Sequence, residues 1–186
     1  MQLLLSGILL FSIGYTDGKL TDTEGAFFAR HPAEHIQIPP VKPKAVIHRG
    51  DRTFLTRLTR ITTGKPNFAD HLRIETWGCG TGCIMFGVAD LVNGNTYLFP
   101  QTLMTPGFGR RMTFRTNSRM VHLVGFFNED KPADRWFLWT GSSLKIVEDT
   151  PLPERCFYPG ELAERHLPTA ECNFQPLEEE VDGGQE

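Results

Sequence analysis

Two cysteines four residues apart, set among glycines in Trp77-Gly78-Cys79-Gly80-Thr81-Gly82-Cys83, constrain this chain more than any other feature. On an extended strand their α-carbons would lie roughly 13 Å apart, at about 3.3 Å per residue. A disulfide needs them within about 7 Å. The chain must therefore curl between them, and Gly78, Gly80 and Gly82 permit the positive φ angles of a curl. The segment reads as a disulfide-closed connection between a strand ending at Trp77 and a strand starting at Ile84. Three other chemistries fit less well. A thiol redox site favours Cys-x-x-Cys, one residue shorter. A zinc site would need the pair to converge with the widely spaced Cys156 and Cys172. A phosphate loop would need a helix where Ile84 begins a strand-like run. A glycine turn can also offer backbone amides to an anion.

The four cysteines form an even set, as in the disulfide frameworks of exported proteins. Four cysteines allow three pairings. Cys79–Cys83 with Cys156–Cys172 is the simplest, and the sequence does not choose among them. The apolar run Leu3–Ile13 has the length of a signal-peptide core and is too short to span a bilayer, although no Lys or Arg precedes it. Residues 1–14 are accordingly expected to be a signal peptide, which would place the protein in the periplasm or outside the cell. At 186 residues and a formal net charge of -3, the chain suits one folded domain, and nothing in its charge balance suggests nucleic acid or a stable membrane span.

Along the chain, residues 15–50 hold scattered charges and four prolines and read as an extended leader. Asp51 is placed to cap a helix over Thr53–Ile61, with Phe54, Leu58 and Ile61 on one side. From His71 to Trp77 the pattern alternates with period two, putting Leu72, Ile74 and Thr76 on one face. Ile84–Asp90 suits a central strand. Asn93-Gly94-Asn95 turns it into Thr96–Phe99 as a hairpin. Arg119–Phe127, Trp136–Trp139 and Leu144–Val147 read as further strands, the last two forming a hairpin through Gly141-Ser142-Ser143. Trp136 and Trp139, three apart, should face opposite sides, leaving one able to meet solvent. A short helix is expected over Gly160–His166. The sum is a mainly β (α+β) domain over 51–175, an antiparallel sheet of hairpins with one or two short helices, followed by an acidic tail at 176–186.

The blocks Asn67-Phe68-Ala69-Asp70-His71 and Trp77-Gly78-Cys79-Gly80-Thr81-Gly82-Cys83, followed by Asp90, Gly94 and Tyr97, resemble a family of uncharacterised bacterial exported proteins. Its blocks run Asn-Phe-Ala-Gly-His and Trp-Gly-Cys-Gly-Thr-x-Cys. Phe114–Arg119 resembles the segment before that family's next strand, and the resemblance covers roughly residues 52–147. It implies export and a β-rich fold and transfers no catalytic residue. Asp70 stands where the block carries glycine.

No residue constellation specifies a reaction, a metal or a cofactor. His31 and His35 have Pro32 between them, which spoils a shared helix face. His122 lies inside a strand and suits packing, and Ser118 lacks a nucleophile-elbow context. His71, beside Asp70 and near the cysteine turn, is the candidate for a hydrolase-like site, although strand neighbours point to opposite faces and Asp70 would not orient it. The competing expectation is a non-catalytic envelope protein, inhibitor-like or immunity-like, that binds a protein partner. Its surface would be the segment Phe108–Arg119 with Arg110, Arg111, Arg115 and Arg119, since the guanidinium fork suits carboxylates at interfaces.

Overall fold

The computed structural model describes residues 21–104 and 112–153. An α-helix, α1 (Thr21–Arg30), comes first, and an extended segment leads to a 3-10 turn (Arg49–Phe54) and a second helix, α2 (Leu55–Ile61). The strands are β1 (Leu72–Gly80), β2 (Cys83–Asp90), β3 (Thr96–Leu98), β4 (Leu103–Met104), β5 (Met112–Phe114), β6 (Met120–Phe127), β7 (Pro132–Trp139) and β8 (Leu144–Pro151). All lie in one antiparallel sheet of order β1-β2-β4-β6-β7-β8, with β3 also pairing β2 and β5 also pairing β6. The mainly β class and the hairpins read from period two and turn chemistry are therefore present.

The two-residue β4 joins the hairpins into a single sheet: Ile84 pairs with Leu103, and Leu103 with Phe127. Because side chains alternate along a strand, each strand serves two clusters. One face of the curled sheet gathers Leu72, Ile74, Phe86, Val88, Val121, Leu123, Phe137 and Trp139 into the main core, with Phe68, Phe99 and Phe127. The opposite face of β1 and β2 lies beneath α2, where Leu58 and Ile61 are fully buried with Trp77, Ala89 and Leu91. Burying an aliphatic side chain of that size stabilises by about 1.5–3 kcal/mol, which fixes a helix of only seven residues. Gly87 is what lets α2 come this close: a Cβ there would sit 2.9 Å from Leu58 Cδ2 and 3.0 Å from Ile61 Cδ1.

Three expectations need correcting. The leader is not extended throughout, because Thr21–Arg30 is helical and sets Phe28 into a buried cluster with Met120 and Trp136. Its apolar residues Ala26–Ala29 are consecutive rather than spaced, so helical periodicity does not mark it. The second helix starts later than Asp51, which lies in the 3-10 turn and makes no side-chain cap; its backbone N–H donates to the His48 carbonyl. Finally, Trp136 and Trp139 do face opposite sides, but neither is open to solvent, at 6% and 5% exposure. Trp139 lies in the main core and α1 covers Trp136. Residues 1–14, Cys156, Cys172, the expected helix at 160–166 and the tail at 176–186 lie outside the described residues.

Candidate functional site

Cys79 and Cys83 form a disulfide with α-carbons 5.1 Å apart, inside the limit that the spacing argument required. The turn takes its positive φ at Gly80 (146°) and Gly82 (68°), and β1 carries a bulge between Gly78 and Gly80. The disulfide is thus a clasp across the tip of the β1–β2 hairpin.

Just before β1 the chain makes an unusual bend. Ala69 (φ 43°) and Asp70 (φ 66°) both adopt positive φ, a region L-residues other than Gly, Asn and Asp seldom enter. The His71 N–H donates to the Ala69 carbonyl at 2.8 Å, closing a three-residue turn of the rarer γ type centred on Asp70. A glycine would meet this φ without strain. The Asp70 carboxylate accepts the Ile36 N–H at 2.8 Å and contacts His35 Nδ1 at 3.2 Å. The Ile36 hydrogen bond first, and then His35, hold its pKa below the usual carboxylate value. Asp70 therefore precedes the strand instead of lying in it, and its partners are His35 and Ile36 rather than His71. His71 Nδ1 is buried with no hydrogen-bond partner.

The same bend nearly closes the sheet on itself. The Ala69 and Asp70 N–H groups donate to the carbonyls of Arg115 and Thr116, at 3.3 and 2.6 Å, and the Phe68 and Phe114 rings meet at 6.1 Å. Among the described residues no ladder joins β1 and β5. Between them opens a cleft of about 440 Å³. Ile74, Ile84, Met112 and Phe114 give it an apolar floor continuous with the main core. Its polar walls are Arg60, Asn67, Glu75 and Thr76, with Arg60 paired to Glu75. Asn67 plays the part of a strand residue: its amide accepts from the Ile74 N–H at 2.8 Å and donates to the Ile74 carbonyl at 3.0 Å. Since backbone groups alternate in direction along a strand, Thr76 presents the next outward pair, on an edge of β1 that no strand joins among the described residues.

Of the arginine surface, Arg110 and Arg111 lie outside the described residues. Arg115 is exposed, its guanidinium 4.4 Å above the Phe28 ring, and it borders a smaller cleft of about 250 Å³ with Asn117 and Pro32. Arg119 bonds through its backbone to His31 and Trp139. Met112 and Phe114, inside the same arginine-bearing segment, are what that segment gives to the larger cleft.

A charged cluster on the other face has no counterpart in the sequence reading. His122 Nε2 bonds Asp134 Oδ1 at 2.7 Å, and its Nδ1 lies 3.7 Å from Glu24 Oε1 of α1. Its ring stacks on Trp136 at 4.2 Å and 5°. Burial opposes the charged ring, but the Asp134 and Glu24 carboxylates outweigh it and raise the pKa to about 9. His122, in turn, is the leading cause that lowers Glu24. The packing role expected for His122 holds, and a charge comes with it. His122 and Asp134 are diagonal neighbours, since His122 pairs with Trp136 and Val124 with Asp134, a relation invisible until register is known.

Among the described residues no group of three His, Cys, Asp or Glu is placed to hold a metal, and no helix is long and apolar enough to cross a membrane. No protein-family model, curated protein or solved structure matches the chain.

Proposed function

We propose that the protein is an exported, non-catalytic binding domain of the cell envelope, inhibitor-like or immunity-like, that grips an extended segment of a protein partner in the cleft between β1 and β5. The observation that carries this reading is the unclosed seam, where an apolar floor lies beside an open strand edge. Strand addition uses those two elements, backbone bonds for affinity and side-chain pockets for choice of partner. Asn67 already occupies Ile74 in the manner of an added strand, so an incoming segment would continue the ladder from Thr76. The disulfide supports export, because such bonds persist in oxidising compartments. The hydrolase-like alternative at His71 has no comparable observation behind it, since among the described residues Nδ1 of the ring is buried without a hydrogen-bond partner.

The test is capture of a partner from the envelope fraction of the native source, identified by mass spectrometry, with full-length wild type and two variants. Met112→Glu puts a charge on the cleft floor and should lower capture at least tenfold. Ile146→Glu, on exposed β8, should leave it unchanged. Equal capture by Met112→Glu and wild type would reject the cleft.

A further inference from the structure

We propose that α1 is a charge-latched cover, able to lift from the sheet as a unit while the curled core beneath it stays folded. The proposal is independent of what the cleft binds and begins with how the core is divided. Among the described side chains of α1 none belongs to the main core, which is assembled from Phe68 to Trp139. The helix packs on a satellite cluster, through Phe28 with Met120 and Trp136 and through the stacked Phe27–Trp136 pair at 4.5 Å. Segments with few buried contacts open locally at less cost than the whole domain.

Besides these rings, the Ser118 hydroxyl donating to the Phe28 carbonyl at 2.7 Å and the Arg115 guanidinium 4.4 Å above the Phe28 ring tether the last turn of α1, and nearer its start the hold is charge. The groups that face His122 are Glu24 from α1, Asp134 from β7 and the Thr113 hydroxyl of β5, which pairs directly opposite it. Arg115, just after β5, favours the ionised form of Glu24. Asp134 and His122 belong to adjacent strands and stay together if α1 leaves. The Glu24–His122 attraction is therefore the part that docking adds, and it exists only while His122 keeps its proton and Glu24 has lost its own. At neutral pH both conditions hold and the cover is closed. Removing the His122 proton in alkaline solution, or neutralising Glu24, unlatches it and uncovers Trp136.

Amide hydrogen exchange on the full chain, read by NMR, tests this. Glu24→Gln changes a helix side chain and leaves the sheet untouched. At pH 7 it should speed exchange of the α1 amides at least tenfold, with β6 and β7 amides changing less than twofold. The Met120 methyl and Trp136 indole signals should shift in the same variant. Wild type at pH 10, corrected for intrinsic exchange, should reproduce the pattern. Exchange rising together in α1 and the sheet would overturn the proposal, as would α1 protection that neither Glu24→Gln nor alkaline pH alters.

Discussion

Replacing Asp70 with Gly, Ala and Asn separates what its backbone costs from what its carboxylate contributes. Ala and Gly both remove the acceptor for the Ile36 N–H, so the difference between them isolates conformation. A non-glycine residue in the left-handed region costs roughly 1–2 kcal/mol. Glycine forfeits about 0.4–1 kcal/mol of that advantage through the freedom it gives the unfolded chain. Asp70→Gly should therefore be about 1 kcal/mol more stable than Asp70→Ala. Losing the acceptor costs about 1 kcal/mol on top, so Gly should fall near wild type and Ala below it. Asn keeps an oxygen in place and tolerates positive φ, and should also stay near wild type. In urea, with m of about 1–3 kcal/mol/M, the gap between Gly and Ala corresponds to roughly 0.3–1 M in midpoint. Ala equal to or more stable than Gly would refute the assignment of strain to this bend.

Other expectations follow from the same geometry. The folded-state pKa of His122, about 9, lies above its ordinary 6.5. Its contribution to stability is thus fully present below pH 6.5 and is lost as pH rises through 9, about 3 kcal/mol in all. Denaturation of wild type and His122→Gln across pH 6–10 should show the difference between them shrinking over that window, and a constant difference would count against it. Gly87→Ala drives a methyl into Leu58 and Ile61 and should lower stability by about 1–3 kcal/mol, measured by thermal melts. Reducing Cys79–Cys83 frees a very short loop and should cost at most about 2 kcal/mol in the chain-entropy view, so a reduced protein that unfolds outright would contradict the clasp role.

Local rules made much of the sheet legible and little of the site. β1, β2, β6, β7 and β8 announce themselves through alternation or apolar runs, and the Asn93-Gly94 turn sets β3 against β2. β4 has two residues and β5 three, too short for any periodicity to register, yet β4 unites the sheet and β5 walls the cleft. The positive φ at Asp70 is not legible in the residues around it, and the need for it emerges only from the 68–70 bend bonding to 115–116. The Glu24–His122–Asp134 cluster draws on three elements, one of them a helix whose apolar residues match its partner's surface rather than a helical period. Long-range register decides such sites, and no short window of sequence contains it.

Ser118 shows that the folded unit extends well before residue 50. The residue is 1% exposed; its hydroxyl donates to the Phe28 carbonyl at 2.7 Å, shares that proton with the His31 carbonyl at 3.2 Å, and accepts from the Met120 N–H. Around it the Ala33 N–H reaches Asn117, and the Arg119 N–H reaches His31. Further on, Ile36 is held by Asp70, and Val46 bonds Gly94 and Thr96. Residues 28–46 thus stitch the start of β6, the bend before β1 and the β2–β3 hairpin, work no loose leader could do. Ser118→Ala takes this partner from the buried Phe28 carbonyl and Met120 N–H at once, while the His31 carbonyl keeps the Arg119 N–H. At roughly 1–3 kcal/mol for a buried polar group left unmade, it should destabilise by at least that much, although it deletes a single oxygen. Fluorescence at Trp136 would report whether α1 shifts with it. A loss below about 0.5 kcal/mol by urea denaturation would mean that this segment is only laid on the surface and that the folded unit begins nearer residue 50.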